Sequence, residues 1–308
     1  MPARTSQPAV SVVMPVYNAR PYLAEAVRSI LGQTWRDLEL IIADDGSSDG
    51  SARLALQLAD EDARIRVLLL PHRGIDTMNI AVAAARGELI ARMDADDVSE
   101  PTRLFEQTAF LDQHPEVVAV GTWLTRTDPF GSPAGEQCPP TDHAAIDAGL
   151  LRGEGSPIVQ GTTVYRRAAL QAAGGWRSTF GWVEDLDLFL RLAEVGQLAN
   201  LPRHLYRYRR HPQSVCPTHY EAMRGRIADV VAAARQRRGL PPASSRELRS
   251  ELPPQHSTAE LYRNWACHAM HQHKPTLARH HAMQALRHEP WSRRSWRVMA
   301  WALRSHAA

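Results

Sequence analysis

Cysteine is scarce in this chain of 308 residues: Cys138, Cys216 and Cys267 lie far apart and no C-x-x-C pair occurs. That argues against a disulfide framework and against a thiolate zinc site, and it fits a reducing compartment. Long apolar runs are lacking too. The N-terminal stretch MPARTSQPAVSVVMPVYNARPY meets Asn18 and Arg20 after only a few apolar residues, too few for a signal-peptide core or a membrane span, so a cytoplasmic location is expected. No G-x-G-x-x-G follows the first predicted strand and no G-x-x-x-x-G-K-[ST] occurs, which removes the main support for dinucleotide and P-loop readings. Acidic residues are nearly missing from the tail. From Leu261 to Ala308, eight lysines and arginines face Glu289 alone, a basic appendage on an almost neutral body.

What is present is an ordinary globular composition, 44% hydrophobic and 22% charged, long enough for one large domain with an appendage. VSVVMPVY reads as a strand buried on both faces, followed by a helix with Leu23, Ala26, Val27, Ile30 and Leu31 on one side, Asn18 as its cap and Pro21 in its first turn. LELIIA, RIRVLLL and ELIARM continue the alternation of strand and helix, which predicts right-handed βαβ crossovers and an open, mostly parallel sheet. Ligands of such sheets bind outside the carboxyl ends of the strands. Tyr17 and Asn18, Asp44 and Asp45, His72 to Gly74, and Asp94 to Asp97 are therefore expected around one crevice.

Asp94, Asp96 and Asp97 crowd three carboxylates into four positions. Asp94-Ala95-Asp96 is D-x-D on a turn after a strand, a pattern that can present oxygens to Mg²⁺ or Mn²⁺ together with substrate phosphates. A solvated turn with Asp97 or Ser99 capping the next helix uses the same residues. Downstream, EDLDLFLRLAEVG predicts an amphipathic helix with Glu184, Asp185 and Asp187 in its first turn, where the helix terminus favours a carboxylate in its ionised form. Asp187 is the member expected in a structural ion pair, and Glu184 the one expected to cap or orient.

Three segments in order, SVVMPVYNARPYLAEAVRSILGQTWRDLELIIADDGSSDGS, ARGELIARMDADDVSEPTRL and VEDLDLFLRLAEVGQLANLPRHLYRYRRHPQSV, together resemble a family 2 glycosyltransferase of the GT-A fold over about residues 9 to 216. The resemblance implies an α/β architecture and a nucleotide-diphosphate sugar donor, a UDP-sugar favoured. It places Pro15, Tyr17 and Asn18 at the base pocket, Asp45 on a pyrimidine base, Asp94 and Asp96 on Mn²⁺ or Mg²⁺, and Asp185 as catalytic base with Glu184 beside the substrate. Asp185 would take the proton of an acceptor hydroxyl attacking the anomeric carbon, and one displacement gives inversion. Members often carry Asn-x-Gly and an Arg-Asn pair in the third βα segment. HRGIDTMN has Met78 where arginine is common, leaving Arg73 and Asn79 as the candidates there. His211 lies where relatives have a loop that closes over the donor, a candidate metal ligand or diphosphate contact. The Q-x-x-R-W signature of processive synthases is absent, so transfer of one sugar per encounter is expected, to a saccharide or lipid-linked acceptor in surface polysaccharide or glycolipid assembly.

Residues 1–219 are read as the GT-A domain, with about 9–100 as the nucleotide-sugar half and about 101–219 as the acceptor half; 220–308 are read as a basic helical extension. In that extension the histidines of HAMHQH and RHH are expected on a solvated face. Trp265, Trp291, Trp296 and Trp301 are read as helix-packing anchors, with a basic amphipathic surface at the inner membrane face as the other reading. No nucleic-acid partner is expected. Rival functions are a sugar-phosphate nucleotidyltransferase, which usually has a glycine-rich loop with a basic residue where VYNARPYL stands, and a non-catalytic nucleotide-sugar-binding or scaffold protein.

Overall fold

A computed structural model describes residues 7–154, 157–214, 220–244, 248 and 257–304. Cys216 and most of the linker in GLPPASSRELRSELPPQHS lie outside the described residues. The first half alternates strand and helix: β1 (Val10–Val16), α1 (Arg20–Leu31), β2 (Leu38–Asp44), α2 (Ser51–Glu61), β3 (Ile65–Leu69), α3 (Asp76–Ala84) and β4 (Leu89–Arg92). β1 runs parallel to both β2 and β4, and β3 lies parallel outside β2. Side chains alternate across this sheet. Val10, Val12, Met14 and Val16 share a core with Leu23, Val27 and Ile30 of α1. Val13, Ile41 and Ala43 share the opposite core with Met78 and Ala81 of α3. A strand covered on both faces needs no polar side, which is why VSVVMPV is apolar apart from Ser11. Each such side chain, fully buried, contributes about 1.5–3 kcal/mol.

Glu39 is the exception inside β2. It sits opposite Ser11 of β1 and accepts bonds from Ser11 Oγ at 2.7 Å, the Arg86 N–H at 2.8 Å and the Arg66 guanidinium at 2.9 Å. One buried carboxylate thus ties β1, β2, β3 and the approach to β4 together.

The second half is β5 (Val98–Ser99), α4 (Arg103–Gln113), β6 (Val117–Thr127), β7 (Pro133–Gln137), α5 (His143–Leu151), β8 (Val164–Arg166), α6 (Arg167–Ala172), α7 (Glu184–Val195) and β9 (Gln197–Arg209). β8 pairs antiparallel with both β4 and β6, so the sheet order is β3-β2-β1-β4-β8-β6-β9-β5, with β7 on β6. The following helix, α8 (Tyr220–Arg237), sends Ile227, Val230, Val231 and Ala234 into the core on the α3 side. Its end is fixed by Arg237 on Glu194 and by Arg238 on Asp147.

The chain divides into two compact units, one of residues 1–124, 137–208 and 221–252, the other of 125–136, 209–220 and 253–308. In the second unit α9 (Thr258–His271), α10 (Pro275–His288) and α11 (Arg293–Arg304) pack through small residues, Ala266, Ala269, Ala278, Ala282 and Ala302. Ser257 caps α9 by accepting from the Glu260 N–H. His281 departs from the expected solvated face: it is fully buried, with Nε2 2.7 Å from Asp128 Oδ2. The partner comes from the turn after β6, far away in sequence, and a buried imidazole needs such a partner. The tryptophans also depart from expectation. Trp265 is buried at 4% exposure, but Trp291, Trp296 and Trp301 are exposed. Among the described residues no helix is long and apolar enough to cross a membrane.

Candidate active site

The rim of the sheet begins where β1 ends. Asn18 adopts a left-handed backbone (φ 53°), which asparagine tolerates better than most residues. It does not cap α1. Ala19 holds that position without a side-chain bond, and Asn18 instead accepts the Ser48 N–H at 2.9 Å while its own N–H donates to Ser47 Oγ. The first polar strand end is thereby fastened to the loop after the second. Pro15 is partly buried within β1, and Tyr17 is 56% exposed with its ring 4.8 Å from that of His72. The two rings, tilted by 40° to each other, offer an aromatic surface at the mouth of the crevice.

Asp45 is buried and fully engaged. Oδ1 accepts from the Arg73 N–H and Thr77 Oγ1, both at 2.6 Å, while Oδ2 accepts from the Gly74 N–H at 3.0 Å and lies 2.9 Å from His72 Nδ1. A carboxylate has about four acceptor positions, so Asp45 spends them on folding the 72–77 loop over itself. The unpartnered acceptor in this turn is Oδ2 of Asp44, buried at the end of β2.

The D-x-D motif follows β4. Arg92, the last residue of that strand, is buried and places Nη2 2.7 Å from Asp94 Oδ1. Behind it Arg103, with no exposure at all, donates to the Arg92 carbonyl at 2.8 Å and to Gln107 at 3.0 Å and lies over the Tyr206 ring. Burial lowers this guanidinium to about 10, still a cation at neutral pH. Tyr206 Oη accepts the Asp94 N–H at 3.2 Å. Gly161 closes the other side: a Cβ there would strike Asp94 Oδ2 and come within 2.7 Å of Tyr206 Oη. Burial pushes the Asp94 carboxyl up against the pull of Arg92, and repulsion from Asp96 adds to it. Two half-buried carboxylates, Asp94 and Asp96, suit a hard divalent cation that also takes phosphate oxygens. Among the described residues no third histidine, cysteine or carboxylate completes a three-ligand cluster with them.

Glu184 and Asp185 open α7 behind the 3-10 turn Ser178–Val183, with Val183 at the N-cap. Gly181 permits that turn with φ 57°. Asp185 Oδ1 accepts the Leu186 N–H at 2.7 Å. Contrary to expectation, burial outweighs the helix terminus and raises Asp185, with Asp94 contributing repulsion. Burial and the adjacent Asp185 push Glu184 up to about 8, and Asp94 adds to this as well. The D-x-D turn and the start of α7 therefore sit within electrostatic reach of each other. Asp187 makes the expected ion pair, buried, with Arg191 at 2.7 Å.

Other predicted residues are differently occupied. Asn79 uses its amide to hold the Trp176 backbone, donating to its carbonyl at 2.8 Å and accepting its N–H at 3.0 Å. Arg73 contributes its N–H to Asp45 while its residue is exposed. His211 belongs to the second unit, buried, with Nδ1 3.2 Å from Gln213 Oε1. Sequence reasoning missed Arg92, Arg103, Tyr206 and Gly161. Only Arg92 left a usable signal, a charged residue inside a strand that is otherwise apolar.

The sequence profile of glycosyl transferase family 2 matches residues 11–174. EpsE of Bacillus subtilis strain 168 is 37% identical over 211 residues, 66% of this chain and 74% of EpsE. The S. aureus TarS structure in complex with UDP superposes with a TM-score of 0.55 at 19% identity, over 90% of this chain and 89% of that one. The mannosyltransferase PcManGT from Pyrobaculum calidifontis, in complex with GDP-Man and Mn²⁺, gives 0.56 at 21% identity, over 98% and 86%. The structural likenesses speak for the fold and the sequence matches for descent: the chain belongs to glycosyl transferase family 2 and is a glycosyltransferase of the GT-A fold.

Proposed function

We propose that the enzyme is an inverting, non-processive transferase that moves one sugar from a nucleoside diphosphate sugar, a UDP-sugar favoured, to an acceptor hydroxyl. The acceptor is a saccharide or lipid-linked saccharide in surface polysaccharide or glycolipid assembly. The observation that carries this reading is that the D-x-D turn, with Asp94 set by Arg92, Tyr206 and Gly161, lies near enough to the start of α7 for the Asp94 charge to raise both Glu184 and Asp185. Asp94 and Asp96 would hold Mn²⁺ or Mg²⁺. Such a cation would neutralise charge growing on the leaving diphosphate and, by lowering the field at α7, favour ionised Asp185. PcManGT, in complex with Mn²⁺, lends support to that choice.

The chain's own residues do the rest. Tyr17 and His72 receive the base on their exposed rings, and the 72–77 loop, folded on Asp45, gives the pocket its shape. Arg92 and Arg103 hold Asp94 in place from behind. Asp185 accepts the acceptor proton as the new glycosidic bond forms and the bond to the diphosphate breaks. Glu184, kept protonated by burial and its neighbour, can donate a hydrogen bond at neutral pH. Asp185→Asn should lower transfer by about 10²- to 10⁴-fold while nucleotide binding persists. Unchanged turnover in that variant removes Asp185 as the base, and nucleotide-sugar binding without turnover in the wild type would favour a scaffold instead.

A further inference from the structure

We propose that α11 and the turn before it form a docking surface for an anionic lipid bilayer. The helix has two opposite faces. Ser295, Met299 and Ala302 are buried against the other helices of the second unit. With an advance of about 100° per residue, Arg293, Arg297 and Arg304 fall within about 40° of one another on the outer face. Trp296 and Leu303 flank this stripe on one side, Trp301 and Arg294 on the other, and all of these residues are exposed.

Three observations select the occupant. Among the described residues no ion pair engages the stripe: Glu289 is the one acidic residue from Leu261 onward, and Arg263 holds it at 2.7 Å. The tryptophans are not packing anchors, since Trp291 is 93% exposed and Trp296 57%, whereas Trp265 shows what an anchor looks like at 4%. Finally, the arrangement has both signals that stable interfacial binding requires, cations for phosphate headgroups and indoles for the headgroup boundary beside them. Trp296 already satisfies its ring N–H on the Pro290 carbonyl at 2.9 Å, so its apolar ring can enter that boundary without an unpaired donor. The shared chemistry with nucleic acid is the phosphate, but a purely polyanionic ligand gives Trp291 and Leu303 nothing to do. Docking would concentrate the enzyme where lipid-linked saccharides reside, whichever sugar it transfers.

The test floats the full chain with vesicles of phosphatidylglycerol in phosphatidylcholine, and with phosphatidylcholine alone. The expected result is flotation with the anionic vesicles only, weakened by added salt. Arg293→Glu combined with Arg294→Glu and Arg297→Glu should lower partitioning about a hundredfold or more, at about fivefold or more per basic residue. Trp291→Ser with Trp296→Ser should lower it in the same direction with the charge unchanged. Both variants should keep wild-type donor hydrolysis, which reports an intact catalytic unit and separates this result from any failure of Asp185. Equal flotation with neutral vesicles, wild-type flotation of the charge-reversed variant, or no flotation at all would overturn the proposal. So would release from anionic vesicles by a short DNA duplex at equal phosphate, which would assign the stripe to nucleic acid.

Discussion

Asp94 is shaped by neighbours that no motif names. Its Oδ1 is taken by Arg92, its N–H by Tyr206, and its Oδ2 lies against the hydrogen of Gly161. The glycine is required by space, since Tyr206 is a fully buried ring that cannot retreat. Gly161→Ala should therefore displace the carboxylate while leaving the fold intact, and a misplacement of about 1 Å in such a site costs roughly 10²-fold in kcat/KM. Steady-state kinetics beside a thermal melt checks this, and wild-type kcat/KM in the variant would show that Asp94 does not depend on that contact. The D-x-D pair itself was legible because carboxylates rarely crowd without a charge to hold. Arg92 left a signal as a charge inside an apolar strand, whereas Tyr206 and Gly161 reach the site only through tertiary pairing. Asn79 shows the converse, a polar residue at a suggestive position whose amide is spent on the Trp176 backbone.

At the level of elements, the parallel half of the sheet depends on Glu39. Burial by itself would raise this carboxyl, but bonds from Ser11, Arg86 and Arg66 bring it down to about 2 from 4.5. A carboxyl held lower in the folded state than in the unfolded one stabilises the fold above about pH 4.5, and loses that contribution as pH falls toward 2. Glu39→Gln should cost about 2–3 kcal/mol at pH 7 and progressively less toward pH 2, read from urea midpoints across that range. A pH-independent difference would mean the loss is one of packing. The alternating elements from β1 to β4 were readable because each buried strand is a short apolar run and each helix repeats on one face. β9 was not read as a strand: QLANLPRHLYRYR carries Pro202 and three arginines, and its pairing with β5 is fixed by partners about a hundred residues upstream. The expected α1 cap failed for a similar reason, because Asn18 finds Ser48 across the crevice rather than the helix beside it.

For the molecule as a whole, strand spacing was enough to foresee the fold class, while the tail's composition left its packing open. Basic residues and tryptophans interleaved at helical spacing fit either a buried seam or an exposed stripe, and only the alanines on the opposite face of each helix decide between them. The buried His281–Asp128 pair was likewise out of reach, since it joins residues 153 apart. On the proposed function Asp94 and Asp96 would grip a cation and, through it, a diphosphate beside Asp185. The most direct test of that grip is anomalous scattering from crystals soaked with Mn²⁺ and a UDP-sugar. A manganese peak about 2.0–2.3 Å from oxygens of both aspartates, bridged to the diphosphate with the anomeric carbon facing Asp185, is the predicted result. Nucleotide bound elsewhere, with Asp94 still paired to Arg92 and no manganese beside it, would contradict it.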